Sequence, residues 1–275
     1  MSISREGFDY VRTLVHTHSG VVLEPGKEYL VESRLQPLAQ SEGLNSVQAL
    51  VERLRASSLN GLHKRVVEAM TTNETSFFRD LHPFEELRKS ILPQLIEKRR
   101  AERRIAIWSA ACSTGQEPYT IAMIMQEHFP ELAGWSCRLM ASDIAEEVMA
   151  KARSGRYSQL EVSRGLPAAY LVKHFHHRGN EWEIGEETRR KVEYFAINLT
   201  KPWPALPRMD VILMRNVLIY FDLETKKRIF ANLRRQLQAD GYLALGGAET
   251  TLGIDDSFER VCGDKGGGWF RLREA

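Results

Sequence analysis

Apolar residues recur at helical spacing through the first seventy or so residues. Phe8, Val11, Leu14 and Val15 make one stripe, and Tyr29, Leu30, Leu35 and Leu38 a second. Val47, Leu50, Val51 and Leu54 make a third, and Leu62, Val66, Val67 and Met70 a fourth. Gly20, Pro25-Gly26 and Gly43 punctuate them, so the pattern predicts a small all-α domain. A further helix is expected over 84–104, ending in the basic run Glu97 to Arg104, read as a solvated helix end. From Ile105 the period changes. Short apolar runs at 105–108, 137–143, 192–197, 210–214 and 242–245 read as strands, with helices over 118–128, 145–152 and 223–237 between them. Phe175 to His177 and Glu181 to Ile184, around Gly179-Asn180, read as a small hairpin, and Trp269 to Leu272 closes the sheet. The expected fold class is α/β: a mostly parallel, Rossmann-like sheet with a small β-subdomain insertion, preceded by the all-α N-terminal domain. The expected boundaries are 1–80 for the helical domain, 81–104 for a linker helix and 105–275 for the sheet domain, with the insertion at about 173–196.

The first strand carries the chemistry. It runs through the small residues Ser109 to Gly115 into a helix whose first turn holds Glu117 and Pro118. Strand, small-residue loop and helix is how an open parallel sheet holds an adenosine-type cofactor at its carboxyl edge. The stretch has one glycine, Gly115, so it lacks both the Gly-x-Gly-x-x-Gly fingerprint and a phosphate-loop Gly-Lys-Ser/Thr. A cofactor without phosphates fits better, and S-adenosylmethionine is the obvious one. An ordinary strand-to-helix turn is the alternative. The second strand ends in Asp143, whose two coplanar oxygens can receive the two hydroxyls of a ribose.

Composition narrows the classes. The chain has 275 residues, 43% hydrophobic and 27% charged, and a net charge of +2, which implies no strong field for nucleic acid. Its three cysteines, Cys112, Cys137 and Cys262, form no paired framework and point to a reducing cytoplasm. No signal peptide and no membrane-spanning run is expected, so a membrane partner would be visited from the cytoplasm. Arg34, Arg53, Arg55, Lys64 and Arg65 form either a solvated face or a surface for an acidic helix. The polar segment Thr71 to Ser76, followed by Phe77, Phe78, Arg79 and Asp80, is either a helix end with buried aromatics or a strap over the cofactor pocket. His174, His176 and His177 suggest a metal, and alternation would put His174 and His176 on one face, but no carboxylate or cysteine completes a set, and no metal is expected.

Taken together, Thr72-Asn73-Glu74-Thr75-Ser76-Phe77-Phe78-Arg79, Trp108 to Tyr119, Ala141-Ser142-Asp143-Ile144 and Arg215-Asn216-Val217-Leu218-Ile219-Tyr220-Phe221 resemble the CheR-type chemotaxis receptor methyltransferases. The resemblance covers nearly the whole chain in order. It implies methyl transfer from S-adenosylmethionine to glutamate side chains of methyl-accepting chemotaxis receptors, giving glutamate methyl esters and S-adenosylhomocysteine. Carried over position by position, it implies cofactor binding by Asn73, Thr75, Arg79, Glu117, Asp143, Asn198, Leu199, Arg215 and Asn216. Glu117 would face the methionine ammonium and Asp143 the ribose. Arg79 and Tyr220 would lie nearest the chemistry. The short turn between His177 and Glu181 resembles members that do not tether a receptor tail.

The implied partner is the cytoplasmic helical region of a membrane chemoreceptor, visited by a monomer that does not enter the membrane. Two rivals stand beside this reading. A nucleic-acid amine methyltransferase would carry Asn-Pro-Pro-Tyr or Asp-Pro-Pro-Tyr after the fourth strand, where this chain has Arg215 to Tyr220. A catalytically silent cofactor-binding regulator of a signalling pathway would keep the pocket and lose turnover.

Overall fold

The computed structural model describes residues 3–262 and 268–273; the expected sheet domain also contains residues 263–267 and 274–275, which lie outside the described residues. The chain divides into two compact units. One runs through Thr72 and takes in Tyr220–Thr225. The other comprises Asn73–Ile219 and the chain from Lys226 onward.

The first unit holds helices Arg5–Ser19, Glu28–Ser41, Val47–Arg55 and Gly61–Ala69. Each of the first, third and fourth begins at a side-chain cap. Ser4, Ser46 and Asn60 accept the backbone N–H of Gly7, Ala49 and Leu62, satisfying donors that the first helical turn leaves open. Phe8, Val11, Val15, Leu50, Val51, Leu54, Val66 and Met70 are buried together, as their spacing predicts. The second helix departs from the expected stripe. Tyr29 is 62% exposed, and the buried face is Val31, Leu35, Leu38 and Ala39, one residue out of phase at its start. Lys27 instead lies over the Tyr29 ring.

The five basic side chains marked in the sequence are engaged within this unit. Arg34 donates to the Met70 carbonyl and to Thr72 Oγ1. Arg53 and Arg65 pair with Glu42, Lys64 pairs with Glu68, and Arg55 donates to the Glu6 carbonyl. The re-entrant segment is fastened by backbone and side chain. Val22 N–H donates to the Tyr220 carbonyl at 2.9 Å, Val21 bridges Phe221, and His16 lies 2.9 Å from Asp222.

The second unit is built on a seven-stranded sheet. Its strands are β1 (Arg104–Ala110), β2 (Ser136–Asp143), β6 (Val192–Ala196), β7 (Met209–Met214), β8 (Leu237–Leu245), β9 (Phe258–Cys262) and β10 (Gly268–Leu272), in the order β6-β2-β1-β7-β8-β10-β9. The first five run parallel, and β10 pairs antiparallel with both β8 and β9. β7 and all but the first residue of β1 are buried, which is why both read as near-continuous apolar runs. From β1 the chain moves outward to β2 on one side, and β7 then takes the place on its other side. The order therefore reverses at β1, the point where such sheets open a crevice at their carboxyl ends.

A second sheet joins β3 (Arg156–Ser158), β4 (Phe175–Arg178) and β5 (Glu181–Ile184), antiparallel, in the order β3-β5-β4. The expected hairpin is β4–β5; its third strand is too short to leave a period-2 signal. His174 does not share a strand face with His176. It ends the helix Ala168–His174 and is buried, 2.9 Å from Glu127, so burial and packing explain it.

The expected helix over 84–104 is not continuous. His82–Glu86 and Leu92–Lys98 are α-helical, Leu87–Ile91 is a π-type turn between them, and the chain leaves helical structure at Arg99. Nor is the whole basic run solvated. Arg99 is largely buried and bridges Asp210 of β7 and Asp240 of β8, with Nε donating to Asp210 at 2.8 Å. These two carboxylates hold its already cationic guanidinium further toward the charged form. Ala239-Asp240-Gly241 forms an irregularity inside β8, which pairs Leu237 with Met209 and then Tyr242 with Val211. Cys112 and Cys137 are free thiols, and the side chain of Cys262 lies outside the described residues.

Candidate active site

The carboxyl ends of β1, β2 and β7 collect most of the expected residues of the second unit. The loop after β1 is shaped by backbone that few residues tolerate. Ala111, Ser113 and Gly115 have φ of 55°, 51° and 94°. Gly115 is required twice over. A Cβ there would lie 2.8 Å from the Ala152 Cβ and 3.1 Å from the Tyr157 hydroxyl, so its absence lets the helix Glu146–Ser154 approach. Tyr157 is fully buried and donates to the Thr114 carbonyl at 2.8 Å, fixing the loop from the β-subdomain side.

Asp143 ends β2 as expected. Its Oδ2 accepts the Ser113 N–H at 2.9 Å, and its Oδ1 accepts the Ala145 N–H at 3.0 Å. Burial pushes this carboxyl above its ordinary value, opposed by backbone N–H groups of Ala145, Ser113 and Ile144. Each oxygen keeps acceptor capacity after these bonds. The Ser113 hydroxyl donates to the Asn73 carbonyl at 2.7 Å, which ties the segment before the sheet to the loop after β1. Cys112 is buried, and burial raises its thiol, so it is a packing residue rather than a nucleophile.

The centre of the network is Arg215, at the end of β7. Its side chain is 2% exposed. One guanidinium nitrogen donates to Glu117 Oε2 at 2.8 Å; the other donates to Asp80 Oδ2 and to the Arg79 carbonyl, each at 2.8 Å. Its plane also lies 5.1 Å from the Phe84 ring centroid. The Ser109 hydroxyl donates to the other oxygen of Glu117 at 2.8 Å. Arg79 itself donates to the Glu74 carbonyl at 2.7 Å. The strap carrying these groups is backbone-strained, with Phe78, Asp80 and Leu81 at φ of 49°, 67° and 42°. It is held at Phe78, whose N–H donates to Thr120 Oγ1, and by Phe77, which is buried edge-on against Tyr157 and Phe175. The aromatics of this segment are thus buried, and Asp80 and the Arg79 carbonyl meet Arg215 at the end of β7.

Asn198 and Leu199 follow β6. The Ile197 N–H donates to the Asp143 carbonyl, which brings them alongside β2. Asn198 Oδ1 accepts from the Thr200 N–H and hydroxyl, while Leu199 is buried and its carbonyl accepts the Trp203 indole N–H. Thr75 is half-buried on the strap. Asn216 follows Arg215 at a φ of 59°. Tyr220 belongs to the other unit, in the 3₁₀ turn Leu218–Tyr220.

Three participants escape a reading of the chain: Asp80, Ser109 and Glu249. Asp80 and Ser109 sit inside stretches already marked, but nothing local says that they meet Arg215 and Glu117. Glu249 lies far along the chain and accepts backbone N–H groups of residues 216–218.

The residues fit an S-adenosylmethionine-type molecule on their own chemistry. Arg215 Nε is buried with no protein acceptor among the described residues, so a polar ligand atom has a donor to meet. The carboxylates of Glu117 and Asp143 have the chemistry that an ammonium and a pair of hydroxyls require. No group of three or more His, Cys, Asp or Glu is placed to hold a metal among the described residues, and no helix there is long and apolar enough to cross a membrane.

Residues 6–71 match the family described as CheR methyltransferase, all-alpha domain, and residues 73–266 match CheR methyltransferase, SAM binding domain. The chemotaxis protein methyltransferase Cher2 of Pseudomonas putida is 36% identical over 265 residues, covering 95% of this chain and 96% of that protein. Chemotaxis protein methyltransferase 1 of Pseudomonas aeruginosa is 37% identical over 265 residues, with the same coverage. Among solved structures, a TehB-like SAM-dependent methyltransferase from Corynebacterium glutamicum aligns with 71% of this chain and 97% of its own at 12% identity and a TM-score of 0.39. With both domains matched in order and full-length relatives above one-third identity, the chain belongs to the CheR methyltransferase family and is an S-adenosylmethionine-dependent methyltransferase.

Proposed function

We propose that this enzyme transfers a methyl group to glutamate side-chain carboxylates in the cytoplasmic helical region of membrane chemoreceptors, for sensory adaptation in chemotaxis. The observation that carries the reading is the buried Arg215 network, in which one guanidinium joins Glu117 on the helix after β1 to the strap at Arg79 and Asp80. It joins the carboxyl ends of β1 and β7 to the strap through a buried, charged network, and it lies in a chain matched throughout to chemotaxis methyltransferases.

S-adenosylmethionine supplies an electrophilic methyl on a cationic sulfur. Asn73, Thr75, Arg79, Glu117, Asp143, Asn198, Leu199, Arg215 and Asn216 would hold it, with Glu117 at the ammonium and Asp143 at the ribose. A glutamate side chain has an ordinary pKa near 4.3, so it arrives ionised and needs no general base. The protein's work is then to orient that carboxylate and strip its water. Arg79 and Tyr220 take the positions nearest the reacting groups. Pairing Arg79 too tightly with the carboxylate would slow the reaction, because that charge disappears on the way to the ester. Arg79 therefore acts by positioning. The enzyme works as a monomer from the cytoplasm.

Methyl-labelled S-adenosylmethionine and chemoreceptor-containing membranes test the reading. Label on the receptor, released by mild base as volatile methanol, is the expected result. Base-stable label would overturn the carboxylate substrate. Cofactor binding without label on any receptor would replace catalysis by a silent regulatory role.

A further inference from the structure

We propose that Glu249 is a positioning residue of the methyl-transfer site, acting through the loop that follows β7. Its two carboxylate oxygens collect four backbone N–H groups. Oε2 accepts from Asn216 at 2.9 Å and Gly246 at 2.6 Å; Oε1 accepts from Val217 at 2.8 Å and Leu218 at 2.7 Å. Three of these donors are successive, and the first belongs to a residue at a φ of +59°. Successive N–H groups turned inward in this way make a nest for an anion. Many such nests hold a phosphate or a free carboxylate; here the chain fills its own.

The device is closed from the other side too. The Glu249 N–H donates to the Gly246 carbonyl at 3.0 Å, a tight turn that swings the side chain back. Gly246 has to be glycine for this approach. A Cβ there would stand 2.7 Å from the Asn216 nitrogen and 2.8 Å from both Asn216 Nδ2 and Glu249 Oε2. The end of β8 and the end of β7 are thus locked together at the residue after Arg215. Arg215 fixes the chain by its guanidinium, and Glu249 fixes the next three residues by their backbone. Without the carboxylate, four N–H groups lose their acceptor and the left-handed Asn216 loses what holds it. The loop relaxes, and Asn216 leaves its place at the carboxyl edge. Glu249 contacts no reacting atom; it sets the position of a residue expected to meet the cofactor.

The kinetic part of this inference rests on the methyl-transfer reading; the cofactor-binding part does not. The test compares the full chain with Glu249→Ala and Glu249→Gln. Binding of S-adenosylhomocysteine is measured by calorimetry, folding by thermal unfolding, and transfer by label on receptor membranes, each with and without propionate at constant ionic strength. The expected result is weaker binding, by about tenfold, and transfer slowed by about a hundredfold, the size expected for a misplaced site. Propionate, which can refill the nest, should restore much of both in the alanine variant. Glutamine, which keeps one acceptor oxygen, should fall between.

Wild-type affinity and rate in a folded Glu249→Ala would overturn the proposal, as would losses that propionate does not reverse. If the alanine variant fails to fold, Glu249→Gln decides: unchanged affinity refutes the role, and weakened affinity at an unchanged melting temperature supports it. If the wild type itself labels no receptor, the methyl-transfer reading has failed, and the calorimetric comparison still judges Glu249.

Discussion

Arg215 shows why side-chain identity matters more than charge at this site. Its fork reaches Glu117, Asp80 and the Arg79 carbonyl at once. A lysine ammonium carries the same charge as a single point and cannot span these acceptors. Arg215→Lys should therefore lower stability by about 1–3 kcal/mol, the penalty for leaving buried polar partners unmet. It should also weaken S-adenosylhomocysteine binding about tenfold or more, since each 1.4 kcal/mol of lost interaction is a factor of ten. Thermal unfolding and calorimetry on the same preparation check both; unchanged affinity would remove Arg215 from the cofactor site. Asp143 is marked by its position at a strand end, whereas Glu117 is marked only by the resemblance. Glu249 is not, because its bonds to residues 216–218 are made by main chain distant in sequence, and main-chain donors leave no residue-type signature. Arg99 escapes the pattern for a related reason. Amid the charged run Glu97 to Arg104 it looks solvated, and only the meeting of β7 and β8 supplies Asp210 and Asp240.

At the level of elements, hydrophobic period located most strands and helices, and it failed where geometry is irregular. The π-type turn at Leu87–Ile91 keeps apolar residues in helical order, so the interruption is invisible in the pattern. The irregularity within β8 concentrates Ala, Asp and Gly, which imitates a turn. The loop between β1 and the helix Gln116–His128 is the opposite case: its small residues mark it plainly, and the structure gives the reason. Gly115 has no room for a methyl group beside Ala152, and its φ of 94° is strained for any other residue. Gly115→Ala should destabilise the protein by about 1–3 kcal/mol, the usual penalty for overpacking. Because Ala152 is already small, trimming it to glycine should recover only part of the loss. Denaturant titration of the single and double variants would check this, and a neutral Gly115→Ala would show that the helix Glu146–Ser154 can retreat.

Across the whole molecule, the chain visits its first unit twice. Residues through Thr72 build four helices, and Tyr220–Thr225 returns to them 150 or so positions later. Asp222 serves two purposes in that return. It lies 2.9 Å from His16, and its other oxygen accepts the Thr225 N–H at 2.7 Å, capping the helix Leu223–Gln236. The His16 contact, with the Thr225 bonds, lowers its carboxyl from 3.8 to about 2. A depressed carboxyl stabilises the fold above its unfolded value and loses that contribution as pH falls toward its folded one. The contribution is therefore full above about pH 4 and gone near pH 2. Asp222→Asn keeps the cap and removes the charge, so wild type should exceed it by no more than about 1 kcal/mol, as for other exposed pairs. The two should converge as pH drops from 4 to 2 in acid-unfolding curves; a gap that persists at pH 2 would exclude this origin. The return segment also has a consequence in time. A chain leaves the ribosome from its first residue, and domains usually fold as they emerge. Here the helices emerge early, yet the bridge from Val21 to Phe221 and the bond from Val22 to Tyr220 wait until most of the sheet has been synthesised. The helical unit is the first to be made and among the last to be finished.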